Sequence, residues 1–101
     1  MSIKSLTAPI HPGEILLEEF MRPSGISVNA LALALRVPAT RIGAIVHETR
    51  AITADTALRL GRYFSTSSEF WMNLQRDFDL RTAGNASRAK IERDVQPRSA
   101  A

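Results

Sequence analysis

The sequence predicts an all-α protein, a bundle of five helices. Apolar residues recur three and four positions apart in successive short segments, the spacing of a helix that buries one face. Residues that cap helices precede three of these segments, at Ser27, at Thr53 and in a capping-box pattern that starts at Thr66. Proline breaks the pattern between segments, at Pro23 and Pro38. With 101 residues, 45% of them apolar, the chain can form one domain around a single core.

Composition excludes several classes of protein. The chain has no cysteine, which rules out disulfide bonds, thiolate metal sites and cysteine nucleophiles. The N-terminal residues lack the apolar segment of a signal peptide, and no apolar run reaches the roughly 18 residues of a membrane span. We therefore expect a cytoplasmic protein with no membrane partner.

Residues 1–10 lack periodicity and are expected to form a flexible arm ahead of a domain at residues 11–81. The first helix opens at His11, which we interpret as a capping or packing residue and not as a metal ligand. This helix should end near Arg22, because Pro23 disfavours helical backbone in the residue before it.

Residues 27–50 predict two helices joined by a tight turn. The second runs from Pro38, which suits the first turn of a helix, to His47. Its outer face lacks the long Glu and Lys side chains that cover most surface helices. That face is small, polar or cationic: Ala39, Thr40, Arg41, Gly43, Ala44 and His47. The major groove of DNA admits an α-helix and is read near its start. We interpret this segment as a helix-turn-helix with residues 38–47 as recognition helix.

Positive charge is concentrated around that helix. Residues 36–62 carry five arginines against two carboxylates, whereas residues 1–35 carry two basic and three acidic side chains. Arginine binds phosphate and guanine through paired donors. A solvated basic face without a partner is the alternative, but the distribution favours nucleic acid.

Two further helices follow. Thr53 should cap the fourth, and the capping-box pattern of residues 66–69 should begin the fifth near Ser67. The fifth helix holds more large apolar side chains than one side of it can bury, which predicts a homodimer. The residues assigned to that interface are Phe70, Trp71, Leu74 and Phe78. Internal packing of all four is the alternative.

The C-terminal extension, residues 82–101, is expected to contact the dimer partner or another protein. Gly84-Asn85 should end regular helix. Residues 86–96 fit a weak helix and a strand equally well, and Pro97 stops either.

Taken together, the chain resembles HigA-type antitoxins, a compact branch of the Xre-like helix-turn-helix family. The likeness is carried by HPGEILLEEF at residues 11–20, NALALALRVPATRIGAIV at 29–46 and ITADTALRLGRYFSTSSEFWMNLQRDFDLR at 52–81. The last block is the most diagnostic, because generic helix-turn-helix repressors lack it. The resemblance implies a five-helix lambda-repressor-like bundle that forms a homodimer and binds an inverted repeat.

The resemblance also implies partners and contacts. HigA-type antitoxins neutralise a RelE/HigB-like ribonuclease toxin and repress their shared operon by occupying double-stranded operator DNA. Carried over by position, contacts with bases or the groove wall fall on Ala39, Thr40, Arg41, Gly43 and Ala44. Contacts with phosphate fall on Asn29, Arg36, His47 and Arg50. No cofactor, metal site or catalytic residue is implied.

One position departs from the family pattern, and other functions stay open. The turn after the recognition helix usually holds glycine, where this chain has Glu48, so either the turn differs or DNA binding is weaker. The alternatives are a stand-alone Xre-type repressor and a toxin-binding module with little DNA binding. An enzyme is disfavoured, because His47-Glu48 begins an HExxH-like pattern that has no second histidine.

Overall fold

Five helices and no strand are present in residues 8–99, the part of the chain that the computed structural model describes. The all-α prediction is confirmed. Most of the predicted arm at residues 1–10, and the last two residues of the extension, lie outside this range. The first helix has three consecutive parts, and the elements are α1 Pro12–Ile15, Leu16–Met21 and Arg22–Ser24, α2 Val28–Leu35, α3 Ala39–Val46, α4 Ala54–Phe64 and α5 Ser68–Asp94.

The predicted N-caps Ser27 and Thr53 are confirmed, whereas the cap of α5 is Ser67 and not Thr66, the first residue of the predicted capping box. The hydroxyls of Ser27, Thr53 and Ser67 accept hydrogen bonds from the amide three residues on, at 3.1, 3.4 and 3.0 Å. The predicted capping box is not formed, however. Glu69 lies only two residues after the cap, and its carboxylate instead accepts a hydrogen bond of 2.9 Å from the Ser68 hydroxyl.

Helix α1 continues past its predicted end at Arg22, through Pro23 to Ser24. Its middle part is π-helical, and the Arg22 amide donates to the carbonyl of Leu17, five residues back. This wider turn accommodates a proline ring that would clash in an ordinary α-helix, so the helix survives Pro23. Gly25, at φ +68°, then ends it in the left-handed conformation.

Helix α5 is much longer than predicted. It runs unbroken through Gly84 to Asp94, so the prediction that Gly84-Asn85 ends the helix is wrong, and residues 86–94 are helical. A glycine inside a helix costs only about 1 kcal/mol, which neighbouring helical residues offset. Its 27 residues make a helix of about 40 Å. None of the helices in residues 8–99 combines the length and apolar composition of a membrane span.

The core forms where α4 and the first half of α5 meet α1. Helices α2 and α3 pack on each other, α2 also lies against α4, and α3 lies against α1. The largest buried apolar side chains come from every helix and from the loop before α4: Leu16, Met21, Leu31, Ile42, Ile45, Ile52, Leu60 and Trp71. Both helices of the predicted helix-turn-helix are thus anchored in the common core.

Four aromatic side chains pack together between α1, α4 and α5. The centre of the Phe20 ring lies 4.9 to 5.9 Å from the ring centres of Phe64, Phe70 and Trp71. Trp71 has no exposed surface, and its indole N–H donates to the Thr66 hydroxyl at 2.8 Å. The prediction that Trp71 lies in a dimer interface is therefore wrong, because the ring belongs to the core of its own subunit.

Candidate nucleic-acid interface

The predicted recognition helix corresponds to α3. The prediction ran from Pro38 to His47, and these two residues are the N-cap and C-cap of the observed helix. Pro38 thus sits one position before the helical turn in which it was expected. In the turn between α2 and α3, Arg36 adopts the left-handed conformation, with φ +61°, and this ends α2.

The residues predicted to contact bases or the groove wall are accessible. Thr40 and Ala39 are exposed, while Arg41, Gly43 and Ala44 are half-buried. The opposite face of α3 carries the fully buried Ile42 and Ile45. The helix therefore turns its small and polar side chains outward, as the apolar spacing predicted.

Gly43 is not required by the fold. A Cβ built there would come no closer than 3.9 Å to the Val28 side chain, an ordinary contact distance. A glycine in a helix interior is unfavourable relative to alanine. Its presence on this outer face fits a surface that a partner approaches closely.

The residues predicted to contact phosphate are all exposed, and all lie on α2 or on segments that flank α3: Asn29, Arg36, His47 and Arg50. The Nδ1 atom of His47 lies 2.7 Å from the Gly43 carbonyl oxygen. Because a carbonyl only accepts, Nδ1 carries the hydrogen of that bond.

Arg41 belongs to an ion-pair network that sequence reasoning missed. Its Nη1 donates to Asp55 Oδ2 at 2.8 Å, and Arg59 Nε donates to the same oxygen at 2.9 Å. Arg59 also donates through Nη1 to the Leu35 carbonyl at 2.9 Å, at the end of α2. The hydrogen bond from Arg59, then that from Arg41, lowers the pKa of Asp55 below its ordinary value. The spacing of Asp55 and Arg59, i and i+4, was the one signal visible in the sequence.

The turn after α3 has the geometry that glycine favours, although the chain has Glu48 there. Glu48 adopts φ +65°, and the next residue, Thr49, donates from both its amide and its hydroxyl to the Ala44 carbonyl, at 2.9 and 3.1 Å. A left-handed conformation costs most residues about 1 kcal/mol or more. Of the two alternatives, a turn without left-handed backbone is therefore wrong, and weaker DNA binding stays a prediction.

Helix α1 packs closely against the end of α3. A Cβ built at Gly13 would lie 1.8 Å from the Ile45 carbonyl oxygen, so only glycine allows this approach. His11 caps α1 by accepting from the Gly13 amide at Nδ1, 2.9 Å away, and its ring packs edge-on against Phe78, with centres 4.8 Å apart. Its predicted capping and packing role is confirmed.

A buried glutamine fixes the segment between α3 and α4. Gln75, in α5, accepts the Ile52 amide hydrogen bond at 2.8 Å and donates to Asp79 at 2.9 Å. Only 5% of its surface is exposed. Nothing in the spacing of α5 distinguished this polar residue from its exposed neighbours.

In residues 8–99, no group of three or more His, Asp or Glu is arranged to hold a metal ion.

The chain is similar in sequence and structure to known proteins. No protein-family model matches it. The antitoxin HigA of Pseudomonas aeruginosa, solved with the higBA promoter, is 53% identical; the match covers 90% of this chain and 99% of that chain, with a TM-score of 0.87. The chain belongs to the HigA antitoxin family. The predicted resemblance and the helix-turn-helix fold are confirmed, and the family is not enzymatic, as predicted.

Two further proteins are similar to this chain over most of its length. The antitoxin GraA, solved in complex with its operator, is 45% identical over 98% of this chain and 100% of that chain, with a TM-score of 0.88. Virulence-associated protein I of Dichelobacter nodosus is 57% identical over 74 residues, which are 73% of this chain and 68% of the relative.

Proposed function

We propose that this HigA-family chain is a DNA-binding antitoxin that represses its own operon by placing α3 in the major groove of an inverted-repeat operator. The observation that carries the proposal is the outer face of α3. That face is small and accessible, and it is flanked by exposed arginines, including Arg36 and Arg50. Two related proteins were solved with a promoter or an operator, which supports the same role here.

The proposed contacts divide into two kinds. Thr40 and Arg41 reach base edges, while Ala39, Gly43 and Ala44 let the helix approach closely and contact thymine methyl groups. The contacts with phosphate come from the four exposed residues Asn29, Arg36, His47 and Arg50. Such contacts release counterions, so affinity falls steeply as salt rises.

We further propose that two copies associate through α5, because an inverted repeat requires two recognition helices about 34 Å apart. Phe70, Leu74 and Phe78 are half-buried in their own subunit and keep some exposed surface. Beyond the core, α5 exposes 62% of Leu80 and 52% of Ile91. These two lie on one row with small residues at the four- and three-residue spacing of paired helices: Leu80, Gly84, Ser87 and Ile91.

We also propose a HigB-like ribonuclease toxin as the protein partner, neutralised by complex formation. Family membership supports this proposal, and it is tested by co-expression with the neighbouring reading frame followed by co-purification. Toxin binding without any salt-sensitive binding to DNA would favour the alternative, a toxin-binding module with little DNA binding. Exposed Glu48, which would repel phosphate, is the feature that favours this alternative.

The test of the DNA-binding proposal is selection of a duplex from a random library, followed by gel-shift titration at several salt concentrations. We expect a palindromic site and an affinity that falls with salt. Arg41→Ala should weaken binding by about 1–3 kcal/mol if the side chain reads a base. Arg76→Ala is the control, since Arg76 is an exposed arginine of α5 that pairs with Asp77 across the surface. Wild-type affinity in Arg41→Ala would remove Arg41 from the site.

A further inference from the structure

Asp55 is a carboxylate that contacts an arginine of the proposed DNA-reading helix. It lies in the first turn of α4, and its Oδ2 accepts hydrogen bonds from both Arg41 and Arg59. The guanidinium of Arg59 also donates to the Leu35 carbonyl, so its position is fixed by two contacts. A continuous line of three hydrogen bonds therefore runs from the end of α2, through Arg59 and Asp55, to Arg41 on α3.

The exposure of these side chains argues against a purely stabilising role. Asp55 is 55% exposed and Arg59 is 40% exposed, and ion pairs at such positions contribute little to folding stability. Arg41, at 25%, is the least exposed of the three. Its side chain is thus held against α4 and is not extended freely into solvent.

A carboxylate beside a DNA-binding arginine has an electrostatic cost, because it repels phosphate and partly neutralises the arginine. The same contact has a geometric benefit. An arginine has five N–H donors, and the bond from Nη1 to Asp55 leaves the others available for a base edge. A guanidinium held at one corner is oriented for the paired bond that recognises guanine.

We propose that Asp55 is a positioning residue that sets the sequence specificity of DNA binding through Arg41. It holds the guanidinium for a base edge and lowers its attraction for phosphate, so that binding to unrelated sequence is weakened while binding to the operator is retained. This inference rests on the proposed operator binding by α3.

The substitution Asp55→Asn separates these effects, because it removes the charge and keeps the shape. We expect binding to unrelated DNA to tighten and binding to the selected duplex to stay the same or weaken. The ratio of the two affinities should fall by at least about fivefold, the lower end of the discrimination that one paired base contact provides. The dependence of unrelated-DNA binding on salt should steepen by about one phosphate contact.

The measurement compares the duplex selected by the wild-type protein with a shuffled duplex of the same length and composition. Asp94→Asn is the matched control, since it makes the same substitution and breaks a pair with Lys90 of 2.6 Å in the last turn of α5. Asp55→Glu, which keeps the charge, should restore part of the ratio. Thermal unfolding of each variant checks the fold, and a loss of stability alone would leave the affinity ratio and salt dependence unchanged.

The double variant Arg41→Ala/Asp55→Asn tests the route through Arg41. In the Arg41→Ala background, adding Asp55→Asn should leave the affinity ratio unchanged. The proposal is overturned by a wild-type ratio in Asp55→Asn, by an equal fall in the Arg41→Ala background, or by the same fall in Asp94→Asn. A wild-type protein that prefers no duplex overturns operator binding itself, and with it any specificity for Asp55 to set.

Discussion

The recognition helix α3 and the outer half of α5 are held in place in opposite ways. Helix α3 has eight residues, too few for a stable helix on its own, and it depends on buried Ile42 and Ile45 and on the close approach at Gly13. The outer half of α5, residues 79–94, has only exposed or half-buried side chains and depends on local hydrogen bonds. The outer face of α3, which we propose contacts DNA, is thus positioned by tertiary contacts, whereas the length of α5 follows from local structure.

The largest expected effect comes from comparing glycines in these two regions. Gly13→Ala should destabilise the protein by about 3 kcal/mol, because the new Cβ meets the backbone oxygen of Ile45, which cannot move independently. Gly84→Ala should instead stabilise by about 0.5–1 kcal/mol, since its Cβ meets only the flexible end of Arg88 in a helix interior. Urea unfolding of both variants measures the difference. Equal effects at the two positions would contradict the contrast between the regions.

The next effect concerns the hydrogen bond between the Ile52 amide, in the segment before α4, and the Gln75 side chain of α5. Gln75→Leu leaves the buried Ile52 amide without its acceptor and should cost about 1–3 kcal/mol of unfolding free energy. Gln96→Leu is the control at an exposed position after α5, where a change within about 0.5 kcal/mol is expected. Unfolding by denaturant compares the two, and faster amide exchange at Ile52 would locate the loss. Equal unfolding free energies for Gln75→Leu and Gln96→Leu would mean that the hydrogen bond from Ile52 to Gln75 does not stabilise the fold.

A smaller effect separates folding from DNA binding on α3. Gly43→Ala should stabilise the fold by about 0.5–1 kcal/mol, because the site has room for a methyl group and alanine favours helix. The same methyl group should weaken binding to the selected duplex by on the order of tenfold, if the groove approaches this face as proposed. Thr82→Ala is the control, since Thr82 is exposed on α5 outside the proposed dimer row, where alanine should add up to about 0.7 kcal/mol of stability and leave DNA affinity unchanged. A Gly43→Ala protein that binds normally would argue against close approach.

The smallest effect is at the end of α3. Glu48→Asn should raise the unfolding free energy by about 0.5 kcal/mol, because asparagine tolerates the left-handed backbone better than glutamate. DNA binding should also tighten, since a negative charge beside the proposed phosphate contacts is removed. Gel-shift titration at low and high salt measures the second change, which should shrink as salt rises. Unchanged affinity at low salt would place Glu48 away from the phosphates.

The features predicted well are those that depend on neighbours in the chain. The caps at Ser27 and Thr53 and the bounds of α3 follow from hydrogen bonds and side-chain spacing within a few residues. Two of the wrong predictions arose where a local rule competes with other contacts. Pro23 was accommodated by a π-helical turn, and Gly84 by the continuity of a long helix.

Other features could not be read from the sequence, because they join residues that are distant in the chain. Trp71 was assigned to an interface on its apolar character alone, and only the packing of α1 and α4 around it shows that it is internal. Likewise, the bond from Arg41 to Asp55 spans 14 residues and that from Ile52 to Gln75 spans 23. A spacing pattern carries no information about such pairs.

The amino-acid sequence alone determined that this protein is a helical bundle of the HigA family with a small-faced helix after Pro38, because helix periodicity, capping and family motifs are all encoded over short stretches. Only the tertiary structure decided which apolar side chains are internal, that α5 continues as one helix to Asp94, and that Arg41 is tied to Asp55. The physical reason is that burial and long-range ion pairs are properties of the packed chain, where competing local preferences are resolved by contacts between helices.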